Sequence, residues 1–121
     1  MNEELETESK DPSVLDTFYY FNTQHNGALS MGPHLDPGFF SVTPASLVPG
    51  LQVVDQSTQS WVDVEAEAGA GNLVLFCAES LERWSAGKYS ATNHQVVTSM
   101  QRPRLSVVFE LRSHNEGDAF E

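Results

Sequence analysis

The sequence predicts an all-β fold of the sandwich or jelly-roll type, and two observations support this prediction. Short apolar runs, rich in β-branched and aromatic residues, recur between residues 17 and 111, where Gly, Pro, Asn or Ser separate them. Only one segment, "AESLERW" at residues 78–84, has its apolar residues at helical spacing. Eight closely spaced strands with one short helix are typical of these two architectures.

The predicted elements follow one another with short connections. Strands are expected at residues 17–22, 34–45 with a break at Pro37 and Gly38, 51–55, 61–67, 72–76, 88–92, 94–99 and 104–111. The segment 61–67, "WVDVEAE", alternates apolar and acidic residues with the period of a strand. The run "NLVLF" at 72–76 is almost wholly apolar, which predicts a buried strand. Residues 25–33, "HNGALSMGP", predict a loop.

The charge distribution divides the chain into a core and two tails. The 121 residues fit one domain and carry a net charge of −11. Six of the 17 acidic residues lie in residues 1–16 and three more in the last six residues, so the core is close to neutral. We therefore predict a disordered acidic tail at 1–16, a core at 17–113 and a C-terminal tail at 114–121. This balance argues against binding of a nucleic-acid backbone, which favours clustered Lys and Arg.

Cysteine content and hydropathy indicate the compartment. The single cysteine, Cys77, excludes an intramolecular disulfide. No apolar run approaches the roughly 20 residues of a membrane-spanning helix. The acidic N-terminus is unlike a secretory or organellar signal. We expect a cytoplasmic protein with no membrane partner.

His34 and Asp36 form the first candidate site, since residues i and i+2 of a strand project from the same face. His94 opens the strand-like run "HQVVTS" and is the best third ligand, because His25 and His114 lie in polar segments that predict surface positions. Two histidines and one carboxylate form the facial triad of non-haem Fe(II) oxygenases. From these three residues alone, histidines satisfied within the core remain the alternative.

Arg104 and Ser106 form a second pair at i and i+2, on the strand "RLSVVFEL". The alternate residues form the apolar opposite face: Leu105, Val107, Phe109 and Leu111. A guanidinium directed into a jelly roll is costly unless it binds a partner, and a carboxylate is the natural one. The alternative is an ion pair between Arg104 and an Asp or Glu on the barrel wall.

Taken together, these motifs resemble the catalytic core of the 2-oxoglutarate and Fe(II)-dependent dioxygenases, in particular the isopenicillin N synthase-like branch. The matching segments are "GPHLDPGFFSV", "VPGLQVVDQSTQSWVDVEAEAGAGNLVLF", "LERWSAGKYSATNHQVV" and "RPRLSVVF". The segments follow one another in the order of the family, and the resemblance as a whole covers about residues 17–113. The resemblance implies a double-stranded β-helix (jelly roll) with iron bound by His34, Asp36 and His94.

The same resemblance implies that Arg104 and Ser106 hold the distal carboxylate of 2-oxoglutarate. A tyrosine of the first core strand assists in the family, and the spacing from His34 favours Tyr19 over Tyr20. The implied activity is oxidation of a small organic substrate by O2, either hydroxylation or desaturation, with release of succinate and CO2. Ascorbate is a candidate reductant.

The chain departs from the family in three places, which keeps two alternative functions open. Gln95 stands where the family has Arg, and "TFYYF" replaces the usual Asn-Tyr-Tyr-Pro. The family's N-terminal half is lacking, so we expect a partner or a missing segment to cover the apolar strand face. The alternatives are a truncated, non-catalytic jelly roll that retains the triad, and an Fe(II) oxidase that does not use 2-oxoglutarate.

Overall fold

The structure is a computed structural model that describes residues 11–113. Eight strands are present in this range: β1 (Val14–Tyr20), β2 (Leu29–His34), β3 (Phe40–Pro44), β4 (Leu51–Val54), β5 (Trp61–Asp63), β6 (Leu73–Cys77), β7 (His94–Val97) and β8 (Arg104–Leu111). Two short helices, α1 (Val64–Ala68) and α2 (Glu79–Trp84), follow β5 and β6. The predicted tails at residues 1–10 and 114–121, including His114, lie outside the described residues.

The strands form two antiparallel sheets of four, which confirms the predicted jelly roll. One sheet has the order β1-β8-β3-β6 and the other the order β2-β7-β4-β5. The sheets meet at a small core of Leu51, Val64 and Val96, against which Tyr20 and Val74 of the first sheet pack. This core is small because polar residues occupy much of the remaining inner surface.

The prediction of β2 as a loop was wrong. Residues Leu29–His34 pair with β7, although the register shifts twice along the way. The segment contains Gly32 and Pro33, residue types that ordinarily mark turns and loops. An edge strand tolerates both, because one of its sides forms no ladder hydrogen bonds.

Two further element predictions need correction. Residues 88–92 form no strand, since no neighbouring strand pairs with them in the part of the chain described. The predicted strand 61–67 ends at Asp63 and α1 begins at Val64, so residues 11–113 contain two short helices rather than one. The period-two pattern there was misleading because Glu65 is buried and hydrogen-bonded, not solvated.

The boundaries and burial of the first sheet also differ from the prediction. β1 begins at Val14, within the predicted acidic tail, because its pairing with β8 extends to Glu110. The predicted buried strand at 72–76 is buried on one face only: Phe76 points inward, while Leu73 and Leu75 are exposed. A sheet face without a covering layer exposes every second residue of such a strand.

The outer face of the sheet β1-β8-β3-β6 is apolar and open to solvent among the described residues. Leu105 is 59% exposed and Leu15, on the neighbouring strand, 67%. Leu75 and Phe109 continue the surface from β6 to β8, since both are the Cα partners of Val42. We call this surface the outer apolar face. It agrees with the apolar alternation expected for β8.

Candidate functional site

The candidate metal ligands converge between two neighbouring strands. His34 ends β2 and His94 begins β7, and the two are Cα partners in the sheet. Asp36 lies two residues beyond β2, and its Oδ1 is 3.4 Å from Nε2 of His34 and 3.3 Å from Nε2 of His94. One ligand atom from each residue lies within 4.8 Å of the others. The structure thus brings together the three residues selected from the sequence.

Backbone carbonyls orient both imidazoles. Nδ1 of His34 is 2.9 Å from the carbonyl oxygen of Gly32, and Nδ1 of His94 is 2.9 Å from that of Thr92. A carbonyl oxygen only accepts, so each Nδ1 carries the hydrogen and donates it. Nε2 of each ring then faces Asp36, and it carries the lone pair in the neutral ring and an N–H that can donate to Asp36 in the protonated ring. This is the usual arrangement of metal-binding histidines.

Asp36 is buried and held by a neighbouring hydroxyl. Ser41 of β3 donates from Oγ to Oδ2 of Asp36 at 2.6 Å, which leaves Oδ1 for the histidines. Burial raises the pKa of Asp36, but hydrogen bonds from His94 and Ser41 outweigh burial and lower it overall. Burial also lowers the pKa of His94, but its hydrogen bond to Asp36 gives a net rise. The carboxylate is therefore stabilised as an anion.

The donor set fits a divalent transition metal with open coordination positions. Two imidazole nitrogens and one carboxylate oxygen form the ligand set of non-haem Fe(II) oxygenases. The ring of Phe76 packs against His94, with 4.7 Å between the ring centroids. This contact restricts rotation of the imidazole and places an apolar wall beside the candidate centre.

Arg104 and Ser106 line the same cavity as the triad. The cavity holds about 490 Å³ of empty space, its open mouth included, and lies between the two sheets. Both residues point inward from β8, and Arg104 is only 3% exposed. Arg104 is the one Lys or Arg among the described residues that line the cavity. Three acidic residues line it as well: Asp16, Asp36 and Glu110.

Arg104 has a partner that sequence reasoning did not identify. Its Nη2 donates to Oε1 of Glu65 at 2.8 Å, and its Nε donates to the carbonyl oxygen of Val48 at 3.0 Å. Sequence reasoning left this kind of wall ion pair open as an alternative without naming Glu65. No signal in "WVDVEAE" could reveal it, because the pattern placed Glu65 on a strand.

Of the two candidate tyrosines, the structure places Tyr20 and not Tyr19 in the cavity. Tyr20 is the Cα partner of Arg104 and lines the cavity, with the guanidinium carbon 5.5 Å from its ring centroid. Tyr19 points to the other side of β1, is 57% exposed and packs on Phe21. Counting along the sequence favoured Tyr19, but alternation along β1 directs its side chain away from the cavity.

The remaining residues singled out in the sequence lie outside the cavity or have other partners. One residue that orients Asp36 was not predicted. His25 is exposed in the loop before β2. Gln95 is buried in β7 and donates from Nε2 to Oε1 of Gln52 at 2.8 Å, so an amide pair occupies the position of the family arginine. Ser41 was not singled out in the sequence, since a serine five residues after Asp36 carries no motif.

The fold is that of the 2-oxoglutarate and Fe(II) oxygenase class, and comparison with known proteins agrees. The family model of the 2OG-Fe(II) oxygenase superfamily matches residues 11–113. The chain belongs to this superfamily, which confirms the family predicted from the sequence motifs.

Individual relatives match a part of their own length. Gibberellin 3-beta-dioxygenase 2-3 of Triticum aestivum is 32% identical over 84 residues, which are 69% of this chain and 22% of that enzyme. The crystal structure of a dioxygenase for auxin oxidation in rice has a TM-score of 0.75 at 26% identity, covering 84% of this chain and 35% of that one. Full-length Neurospora crassa T7H in complex with alpha-KG has a TM-score of 0.70 at 23% identity, covering 84% and 34%.

These comparisons fix the fold and the family. The matching part of the chain spans about a fifth of the length of the wheat enzyme. Among residues 11–113, no helix has the length and apolar character needed to cross a bilayer.

Proposed function

We propose that this chain is the metal- and cosubstrate-binding core of an Fe(II)- and 2-oxoglutarate-dependent oxygenase that oxidises a small organic substrate and releases succinate and CO2. The observation that carries this proposal is one cavity that joins the His34, Asp36 and His94 cluster to Arg104 and Ser106. Membership of the superfamily supports the same assignment.

The metal end of the cavity is prepared by the protein. His34, Asp36 and His94 would hold Fe(II), and Ser41 fixes the free oxygen of Asp36. When bound, iron with 2-oxoglutarate and O2 supplies the oxidising chemistry, as cofactors generally do in such enzymes. The protein contributes ligand orientation through the Gly32 and Thr92 carbonyls.

The other end of the cavity would bind the distal carboxylate of 2-oxoglutarate. Arg104 offers a buried Nη1 that has no hydrogen-bond partner among the described residues. Ser106 adds a hydroxyl two residues further along β8, and Tyr20 a phenol from β1. Burial raises the pKa of Tyr20 while Arg104 lowers it, with a net rise, so the phenol stays protonated and can donate.

Binding measurements on single variants test this proposal. Fe(II) is titrated under anaerobic conditions, followed by 2-oxoglutarate, into wild type, His34→Ala and Arg104→Ala. We expect His34→Ala to lose metal binding, and Arg104→Ala to retain metal but lose cosubstrate affinity. His25→Ala, which changes an exposed histidine, is the matched control. Identical binding by all four proteins contradicts the site assignment.

The ion pair of Arg104 with Glu65 favours one alternative, an Fe(II) oxidase that does not use 2-oxoglutarate. Oxygen consumption with iron in the presence and absence of 2-oxoglutarate separates the two functions. The proposed function requires succinate formation that depends on both iron and 2-oxoglutarate. Intact folding and metal binding without turnover would instead indicate a non-catalytic jelly roll.

We also propose that the outer apolar face is covered by a protein segment other than residues 11–113, from the same polypeptide or from a partner. Exposed apolar surface of this extent usually marks an interface. The chain alone should bind a hydrophobic dye, and the double variant Leu75→Ser/Leu105→Ser should bind it less. A monomeric chain that does not bind the dye contradicts this proposal.

A further inference from the structure

Glu65 and Arg104 form a buried ion pair that is incompletely satisfied. The side chains are 6% and 3% exposed, and Nη2 of Arg104 lies 2.8 Å from Oε1 of Glu65. The same Oε1 accepts a hydrogen bond from the backbone N–H of Leu51 at 3.1 Å. The two remaining polar atoms, Nη1 of Arg104 and Oε2 of Glu65, are buried without a partner among the described residues.

Such unsatisfied atoms are uncommon in folded proteins and call for an explanation. A buried polar group without a hydrogen bond costs about 1–3 kcal/mol, and more when it is charged. Here one unsatisfied atom is a donor, Nη1 of Arg104, and the other is an acceptor, Oε2 of the neighbouring Glu65 side chain. The donor belongs to Arg104, which lines the cavity, and the acceptor to Glu65, which lies behind Arg104 and is not among the lining residues.

The position of Glu65 has a consequence for any anionic ligand. Nε of Arg104 donates to Val48 and Nη2 to Glu65, so Nη1 is the one guanidinium nitrogen without a partner, and a second carboxylate would bind there beside that of Glu65. A ligand carboxylate beside Nη1 would also approach the negative charge of Glu65. Like charges at such separations repel strongly where water is excluded.

We propose that Glu65 is a specificity-determining residue that competes with the distal carboxylate of 2-oxoglutarate for Arg104. This inference rests on the proposed function and extends it. Glu65 neutralises the arginine in the free protein and so lowers the affinity for the dicarboxylate below what Arg104 and Ser106 alone would give. Ligands that lack a distal carboxylate experience no such competition.

The structure supplies a substitution that isolates the charge. In Glu65→Gln, Oε1 can still accept from the N–H of Leu51 and from Nη2 of Arg104, so both observed hydrogen bonds are retained. The substitution removes the negative charge and replaces Oε2, which has no partner among the described residues, by an NH2 group. Glu67 is the matched control, because it lies on the same helix α1 but is exposed, whereas Glu65 is buried.

The experiment compares two ligands in the presence of Mn(II), a redox-stable substitute for Fe(II). Dissociation constants of 2-oxoglutarate and of 2-oxopentanoate, which has a methyl group in place of the distal carboxylate, are measured by calorimetry. The readout is the preference, defined as the ratio of the 2-oxopentanoate constant to the 2-oxoglutarate constant. We expect Glu65→Gln to raise this preference at least about tenfold over wild type. Glu67→Gln should stay within about twofold, as expected for an exposed charge.

The outcomes separate this inference from the proposed function. If all proteins bind Mn(II) and 2-oxoglutarate but Glu65→Gln has the wild-type preference, the role of Glu65 is refuted while the proposed function stands. If no variant binds 2-oxoglutarate although Mn(II) binds, both are refuted. Glu65→Met, uncharged and of similar length, provides a second test should Glu65→Gln fold poorly, and it should shift the preference in the same direction.

Discussion

The two ends of the cavity differ in how completely their polar groups are satisfied. At the metal end, each imidazole Nδ1 has a carbonyl partner and Oδ2 of Asp36 has Ser41. At the arginine end, one guanidinium nitrogen and one carboxylate oxygen are left without partners among the described residues. The metal end is therefore organised before any ligand binds, whereas the arginine end is held by a competing side chain.

This difference shows that the two ligands are bound by different means. A preorganised triad loses little conformational freedom on binding metal, and its affinity depends on the ligand set. At the arginine end, a ligand must take over contacts that Glu65 already makes. Substitution of a metal ligand should accordingly abolish metal binding, while substitutions at the arginine end should leave metal binding intact and alter cosubstrate affinity, selectivity or stability.

The largest effect is expected from removal of a metal ligand. His94→Ala deletes the buried nitrogen donor supplied by β7, and water cannot reproduce its fixed position. We expect Mn(II) affinity to fall more than about 100-fold, beyond the effect usual for residues that only orient ligands. Isothermal titration of the apo protein measures it, with His25→Ala as control. Retention of wild-type affinity would show that the triad is not the metal site.

The next effect is on the stability of the arginine end. Arg104→Met leaves Glu65 as an unpaired buried charge and should lower the free energy of unfolding by about 3–5 kcal/mol. The double variant Arg104→Met/Glu65→Met removes both charges and should recover most of that loss. Urea unfolding of Arg104→Met, of Glu65→Met and of the double variant gives the coupling energy between the two side chains. Additive losses would mean that the ion pair contributes no coupling.

A smaller effect is expected from the residue that orients Asp36. Ser41→Ala removes the hydrogen bond to Oδ2 without touching the three ligands. Residues that orient metal ligands typically contribute about 10–100-fold to affinity, so Mn(II) binding should weaken within this range. Ser46→Ala is the control, because this half-buried serine also loses one hydrogen bond, to the carbonyl oxygen of Leu105, but lies outside the cavity. An unchanged Mn(II) dissociation constant would mean that Ser41 is not needed to orient Asp36 and that the two histidines are sufficient.

The metal end was largely predictable from the sequence because its information is local. His34 and Asp36 are two residues apart, so the sequence places them close together, although the predicted strand 34–45 is interrupted: β2 ends at His34, Asp36 follows in a loop and β3 begins at Phe40. His94 opens a recognisable strand and pairs with His34 across the sheet. Ser41 completes the site through a contact between two elements, and no sequence pattern marks it.

The arginine end was only partly predictable because its partners are distant in sequence. The alternation of β8 correctly directs Arg104 and Ser106 inward. Glu65 is 39 residues away from Arg104, on a helix whose sequence has the pattern of a strand. Burial of the Glu65 carboxylate against Arg104 and Leu51 accompanies the helical turn, and tertiary contacts often override such local patterns.

The smallest effect is expected from the tyrosines of β1, which test whether a phenol takes part in ligand binding at the arginine end. Tyr20 lines the cavity beside Arg104, while Tyr19 lies on the opposite side of the strand. Tyr20→Phe removes one hydroxyl donor and should weaken 2-oxoglutarate binding by about 0.5–1.5 kcal/mol, the net value of one hydrogen bond. Tyr19→Phe makes the same chemical change on the exposed side and should leave the constant unchanged. Calorimetry with Mn(II) present measures both, and a larger loss in Tyr19→Phe would reverse the assignment. A loss in Tyr20→Phe that persists with 2-oxopentanoate would instead mean that the phenol contacts the keto-acid end, so the distal carboxylate would depend on Arg104 and Ser106 alone.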